Sequence, residues 1–195
     1  MRLLERITPL FRSVEVASRR ILVINGHPDP RPARFCSALC DAYEQGARSA
    51  GWMVRRLTVG SLASIADSLT DSQALEAALE DIQWATQLIV VFPLWMDRMP
   101  PVLCDLFEEN LARNNLDGCL ASEKPVRTVI TMEFPALFQR ALLQCGMYAG
   151  GLGHAIALPG FCHTRQDFIG SVASIPAEHR GWWLANLRED GARAT

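Results

Sequence analysis

Short aliphatic runs alternate along the chain with segments in which apolar residues recur every three or four positions. Consecutive apolar residues at 21–24 and at 88–92 are typical of parallel strands that are buried on both faces. Between them, Phe35 and Leu39 begin an apolar stripe at helical spacing, which predicts an amphipathic helix. Together the two patterns predict strands at 20–25, 52–57, 87–92, 125–131 and within 155–172, and helices at about 33–49, 71–85, 100–113, 135–147 and 176–189.

The alternation of strands and helices predicts an α/β domain, in which a mostly parallel sheet has helices on both faces. Five such units in 195 residues fit a doubly wound, three-layer sandwich with strand order 2-1-3-4-5. In that order a ligand binds beyond the carboxyl ends of strands 1 and 3, where the direction of the connections reverses. We predict one domain over residues 20–195, preceded by an amphipathic N-terminal arm at 1–19.

Composition narrows the class of protein. Hydrophobic residues make up 49% of the chain, which suffices for a full core, and the formal net charge of -2 argues against a dedicated nucleic-acid binder.

The six cysteines form no C-x-x-C pair, so we expect reduced thiols in the cytoplasm and no metal site. Cys36 and Cys40 are predicted to be core residues rather than a redox pair. The charge-free run at 141–164 contains five glycines, which predicts loop and strand rather than a membrane span.

The segment N-G-H-P-D-P-R-P-A-R-F at 25–35 joins the first strand to the first helix. Free backbone N–H groups and the helix dipole at such a junction favour an anion such as phosphate, and His27, Arg31 and Arg34 can add charge-assisted hydrogen bonds. The alternative is a turn stiffened by proline that only exposes its arginines. The loop lacks G-x-G-x-x-G and G-x-x-x-x-G-K-[ST], which argues against a dinucleotide-type Rossmann site and against a P-loop ATPase.

The turn F-P-L-W-M-D-R-M-P at 92–100 is a second candidate for a binding role. It follows the third strand, at the end of the sheet where a ligand is expected. An aromatic and apolar turn in that place can present its backbone to a flat ring system. The alternative is a turn that covers the core, with Trp95 as a buried anchor.

Segments 21–43, 85–99 and 126–136 resemble, in the same order, the motifs of the flavodoxin-like NAD(P)H:quinone oxidoreductase family. The family pattern is a strand ending in N-G-H-P, a helix beginning S-F-N, a turn V-F-x-F-P-L-W-W and a loop V-T-x-G-x-P. The resemblance implies a flavoprotein, with FAD or FMN, that uses NAD(P)H as co-substrate to reduce a quinone or a similar small-molecule acceptor. It also implies a homodimer.

The resemblance implies roles for individual residues as well. The flavin phosphates would lie on the loop after the first strand, and the ring system would rest on the turn 93–96 and the loop 131–133. In family members that bind FAD, an arginine matching Arg180 reaches the adenine end. The cofactor-binding residues implied in this way are His27, Arg34, Phe35, Pro93, Leu94, Trp95, Met96, Thr131, Met132, Glu133 and Arg180.

The chain departs from the family pattern at several of these positions. Arg34 and Cys36 replace the serine and the asparagine of S-F-N, and Met96 replaces the second tryptophan of the turn. Glu133 replaces the glycine of the V-T-x-G loop. A carboxylate there would oppose the negative charge that grows on a reduced flavin, by about 1 to 4 kcal/mol at contact distance. The alternative is that Glu133 turns away and pairs with an arginine such as Arg98.

Three functions stay open on the sequence. The first is a flavin-dependent NAD(P)H oxidoreductase. The second is a degenerate binding or regulatory subunit with little flavin affinity, and the third is an unrelated nucleotide- or phosphate-binding α/β protein. We favour the first, because the third gives no role to the turn at 93–96 or to the loop at 131–133.

Overall fold

The computed structural model describes residues 20–66, 72–95, 99–116, 124–135 and 162–195 of the chain. Its strands are β1 (Arg20–Asn25), β2 (Met53–Thr58), β3 (Gln87–Pro93), β4 (Pro125–Thr131) and β5 (Cys162–Ile169). They form one sheet of order β2-β1-β3-β4-β5, in which all neighbours are parallel. The predicted fold class and strand order are confirmed.

The described helices are α1 (Phe35–Ser49), α2 (Val59–Ala66), α3 (Ser72–Trp84), α4 (Pro101–Leu116) and α5 (Ala177–Arg193). Four of them lie where the sequence predicts a helix. None of the helices within the described ranges is long and apolar enough to cross a membrane. The predicted arm at 1–19 lies outside the described residues, and so does the predicted helix at 135–147 beyond its first residue.

Helix α2 was not predicted. Its eight residues, V-G-S-L-A-S-I-A, are small or apolar throughout and show no consistent polar face at helical spacing. The helix follows β2 without a loop and packs against the segment after β1. A Cβ atom on Gly60 would lie 2.4 Å from the carbonyl oxygen of Pro28, so the start of α2 supports this segment by direct backbone contact.

Two hydrophobic clusters cover the two faces of the sheet. On β1, Leu22 and Ile24 pack with α3 and α4, whereas Ile21 and Val23 pack with α1 and α5. The alternate residues of β3 are divided between the same two clusters. This division explains the consecutive apolar residues in the sequence, because successive side chains of a strand point to opposite faces.

Helices α1 and α5 approach each other more closely than side chains would allow. A Cβ atom on Gly46 would lie 1.9 Å from the carbonyl oxygen of Arg188, and one on Gly191 would lie 2.2 Å from that of Tyr43. At the other end of the pair, side chains meet instead: the guanidinium of Arg180 lies 5.3 Å from the ring centre of Phe35. The start of α5 is therefore fixed beside the start of α1.

A buried ion cluster joins β4, β5 and α5. Arg127 is only 1% exposed, and its Nη2 donates to Asp167 at 2.6 Å and to Asp190 at 2.7 Å. Its Nη1 donates to the carbonyl oxygen of Thr195 at 2.5 Å. Arg165 reaches the same two carboxylates at 3.1 and 3.3 Å, but it is 47% exposed. Two cations and two anions thus balance each other beneath α5.

Candidate functional site

A cavity of about 500 Å³ opens at the carboxyl ends of β1, β3 and β4. This is the end of the sheet at which the strand order places a ligand. Loops from four parts of the chain meet there, and the volume lies in the usual range for small-molecule sites. The residues that line it are His27, Asp29, Ala33, Arg34, Phe35, Cys36, Pro93, Leu94, Trp95, Thr131, Met132, Glu133, Val172, Ala173 and Arg180.

Ten of the eleven cofactor-binding residues implied by the resemblance line this one cavity. The eleventh, Met96, lies outside the described residues. Five further residues line the cavity and were not among the predicted cofactor-binding residues: Asp29, Ala33, Cys36, Val172 and Ala173. Asp29 and Cys36 could have been found from their position beside His27 and Phe35, whereas no motif marks Val172 or Ala173.

Backbone hydrogen bonds hold the loops of the cavity together. The N–H of Leu94 donates to the carbonyl of Thr131 at 2.8 Å, and the N–H of Met132 donates to the carbonyl of Ile169 at 2.9 Å. The N–H of Val172 returns a bond to the carbonyl of Met132 at 3.1 Å. The loops after β3, β4 and β5 therefore continue the pairing of their strands and form a rigid wall.

Charged groups concentrate at the end of the cavity next to α1. The Asp29 carboxylate accepts hydrogen bonds from Nε of Arg34 at 2.8 Å and from Nε of Arg31 at 2.9 Å. These two guanidinium groups hold the pKa of Asp29 well below its usual range. Helix α1 begins beside them without a side-chain cap and without an acidic residue in its first turn. Its positive end is thus available to an anion.

His27 is a neutral hydrogen-bond donor at the same end of the cavity. Burial lowers its pKa, and the nearby Arg34 lowers it further. The backbone N–H of Asp29 donates to Nδ1 of His27 at 2.9 Å, so the hydrogen of the neutral ring sits on Nε2. The ring meets Trp95 edge to face, with 6.0 Å between the ring centres.

Trp95 forms an apolar ledge rather than a buried anchor. Its side chain is 50% exposed, which overturns the alternative interpretation of the turn after β3. Leu94 and Met132 are buried beside it, and Phe35 is half-buried. The cavity therefore combines one charged end with an apolar surface onto which a flat ring system could stack.

The floor of the cavity contains a buried thiol. Sγ of Cys36 lies 3.3 Å from Oγ1 of Thr131, which in turn lies 3.5 Å from the carbonyl oxygen of Phe92. Burial raises the pKa of the Cys36 thiol to about 11, and it raises the pKa of Cys40 further. Both cysteines are free and buried, as predicted, so neither provides a thiolate near neutral pH.

Arg180 closes the cavity on the side of α5. Its Nη2 donates to the carbonyl of Val172 at 2.9 Å, while its guanidinium lies over the ring of Phe35. The residue thus links the loop after β5 to the start of α1. Glu133, on the loop after β4, is exposed and has no ion-pair partner within the described ranges. Arg98, the partner considered from the sequence, lies outside them.

A second cavity, of about 620 Å³, lies between the end of β5 and the start of α5. Its main aromatic residue is Trp182, which is 56% exposed and packs edge to face on Trp183. None of the residues implied by the resemblance lines it, and its polar residues Glu178 and His179 are exposed. The cavity next to α1 is the better candidate site, because charged groups and buried polar atoms converge there. Nowhere in the described part of the chain do three or more potential metal ligands cluster.

Comparison with known proteins gives the same fold. The family model for the flavodoxin-like fold matches residues 19–148. None of the curated proteins compared with the chain matches it. Among solved structures, the NAD(P)H:quinone oxidoreductase from Methanothermobacter marburgensis has a TM-score of 0.67 at 14% identity, over 91% of this chain and 96% of that one.

Two further structures are similar over most of their length. A protein from Klebsiella pneumoniae, provisionally assigned as a quinone reductase, has a TM-score of 0.66 at 16% identity, over 89% of this chain and 83% of that one. The FMN-dependent NADH-azoreductase from Bacillus anthracis, solved with FMN, has a TM-score of 0.57 at 9% identity, over 90% of this chain and 99% of that one. At such low identities the likeness to solved structures establishes the fold alone.

Proposed function

This chain belongs to the family with the flavodoxin-like fold, and on that premise we propose that it is a flavin-dependent NAD(P)H oxidoreductase that reduces a quinone or a similar acceptor. One observation carries the proposal. Residues from three separate motifs, represented by His27, Trp95 and Thr131, line a single cavity at the carboxyl ends of β1, β3 and β4. An unrelated phosphate-binding protein would need only the first of these motifs.

The charged end of the cavity suits the phosphate of a flavin nucleotide. The uncapped start of α1 and the Arg34 guanidinium supply positive charge, and Nε2 of His27 supplies a neutral donor. Arg180, whose guanidinium lies over the ring of Phe35, would meet the adenine end if the flavin is FAD. Either FMN or FAD is consistent with these groups, and NADH or NADPH would serve as co-substrate.

The apolar surface suits the flavin ring. Trp95 and Leu94 offer a ledge for one face of the ring, and the loop of Thr131 and Met132 offers its edge. A flavin bound there supplies the redox chemistry, by accepting a hydride from NAD(P)H and passing it to the acceptor. The residues of this chain bind and orient it, and the buried side chains beneath the ledge exclude water from one face.

The decisive measurement is a titration of the purified protein with FMN and with FAD, followed by absorbance and by quenching of flavin fluorescence. We expect a yellow one-to-one complex that oxidises NADH or NADPH when a quinone is added. Trp95→Ala should weaken flavin binding about fivefold or more, because loss of stacking between the indole and the flavin ring costs about 1 kcal/mol of binding free energy. Trp182→Ala removes an equally exposed tryptophan outside this cavity and should leave the affinity unchanged.

One specific observation favours a second candidate, a flavodoxin-like binding or regulatory subunit with little flavin affinity. Two carboxylates, those of Asp29 and Glu133, line the cavity at positions where they oppose an anionic ligand. Absence of binding at tens of micromolar FMN and FAD would support this candidate over the oxidoreductase. We further infer a homodimer from the family resemblance, which light scattering of the purified protein tests directly.

A further inference from the structure

We propose that Asp29 limits the affinity of the cavity for phosphate-bearing ligands, because its carboxylate already holds the arginine that a phosphate would need. The inference rests on the proposed function and assigns a role to a residue that the resemblance leaves without one. Asp29 and Arg34 both line the cavity, so their interaction occurs where the ligand is proposed to bind.

Two guanidinium groups converge on this single carboxylate. Nε of Arg34 donates to Oδ2 of Asp29 at 2.8 Å, and its Nη2 donates to the same oxygen at 2.5 Å. Nε of Arg31 lies 2.9 Å from both carboxylate oxygens. Arg31 is the more exposed of the two arginines, so Arg34 is the one that borders the cavity.

A phosphate and a carboxylate bind arginine in the same way, through paired oxygens that accept from the planar guanidinium. Arg34 stands at the N-cap of α1, which is also the place where a helix favours phosphate. The Asp29 carboxylate therefore competes with a phosphate for the same donors. The Asp29 carboxylate also neutralises one of the two positive charges of Arg31 and Arg34. A phosphate group, with a charge near −2, would otherwise interact with both of them.

Protonation does not relieve this competition. The two arginines hold the pKa of Asp29 well below its usual range, so the carboxylate stays ionised throughout the pH range in which proteins are normally handled. A phosphate must therefore exchange with the carboxylate or share Arg34 with it.

Asp29→Asn tests the proposal with little change of shape. The backbone N–H of Asp29 donates to Nδ1 of His27 at 2.9 Å, and this contact does not depend on the side chain. Asp81→Asn is the matched control. Asp81, on α3, forms an ion pair with Arg55 at 2.7 Å, and it does not line the cavity. Arg34→Gln is the opposite test, since it removes the shared donor.

The experiment measures the dissociation constants of FMN and riboflavin, which differ only in the phosphate, by flavin fluorescence at low and at physiological salt. We expect Asp29→Asn to bind FMN about tenfold more tightly than the natural chain at low salt, with a smaller gain at higher salt. Riboflavin affinity should change less than about twofold. Arg34→Gln should weaken FMN binding alone, and Asp81→Asn should change neither constant.

Each outcome decides a separate point. If Asp29→Asn binds FMN no more tightly than the natural chain, or if both ligands shift by the same factor, the inference is wrong, whereas FMN binding by the natural chain still upholds the proposed function. If FMN binds only to Asp29→Asn, the inference holds and the natural chain does not use FMN. If neither FMN nor riboflavin binds to any variant, the inference fails, and the proposed function fails with it when the natural chain does not bind FAD either.

Discussion

The buried cation Arg127 offers the most direct test of how the fold is held together. Arg127→Met removes the guanidinium but keeps an unbranched side chain in a position that is 1% exposed. The substitution leaves the carboxylates of Asp167 and Asp190 beneath α5 with Arg165 as their remaining partner in the cluster. It also removes the donor to the carbonyl of Thr195.

The expected loss follows from the burial of the partners. Asp167 and Asp190 have side chains that are 12% and 13% exposed, so water replaces little of the lost interaction. Removal of one partner from a buried ion pair costs about 3–5 kcal/mol. Arg165→Met is the matched control, because it touches the same two carboxylates from a position that is 47% exposed. An exposed pair contributes about 0.2–1 kcal/mol, so this control should be nearly neutral.

Urea unfolding of the two variants and the natural chain, followed by circular dichroism, measures both losses. The midpoint of Arg127→Met should fall while the slope stays constant, which would mark a change in stability alone. A triple variant, Arg127→Met with Asp167→Asn and Asp190→Asn, should recover part of the loss, because the one charge left without these partners, that of Arg165, is 47% exposed. If Arg127→Met and Arg165→Met lower the free energy of unfolding equally, by less than about 1 kcal/mol, burial does not strengthen the ion pairs of this cluster.

Three other changes test the site and the packing. Glu133→Gly should tighten flavin binding and raise the reduction potential of the bound flavin, by about 30 mV for each 1.4 kcal/mol of repulsion removed. A flavin potential equal to that in the natural chain would exclude repulsion between Glu133 and the reduced flavin. Gly46→Ala should lower the free energy of unfolding by about 1–3 kcal/mol, because the new Cβ atom forces α1 and α5 apart. Gly181→Ala is the control: a Cβ atom at Gly181 has open space around it, so this variant should be neutral or stabilising. Cys36 and Cys40 should resist alkylation by iodoacetamide at pH 8 in the folded protein and react in urea, as mass spectrometry would show, since burial raises both pKa values.

The sheet could be predicted from the sequence because its strands are apolar on both faces. In β1 and β3 this pattern distinguishes a central parallel strand from a half-exposed one, and the alternation with helices then favours one strand order. The location of the candidate site followed from the strand order alone. Residues as far apart in sequence as His27 and Thr131 could be assigned to one place for that reason, with the family resemblance supplying which residues to consider.

Other features depend on contacts that no local pattern records. Helix α2 escaped prediction because it has no polar face, and Arg127 lies in a strand where an arginine would ordinarily be exposed. The pairing of Asp29 with Arg34 depends on the path of a proline-rich loop, which composition does not specify. The exposure of Trp95 likewise depends on how the turn leaves β3, so both interpretations of that turn were compatible with the sequence.

The glycine contacts between α1 and α5 also bear on how the molecule opens. Backbone packed on backbone has no flexible side chain between the two helices to absorb a displacement, so the pair should separate as one cooperative unit rather than fray residue by residue. Since α1 begins at the cavity, anything that orders its first turn should slow hydrogen–deuterium exchange along α5 as well. The amides around Gly191, which lie at the opposite end of α5 from the cavity residue Arg180, would then report on occupancy of the site.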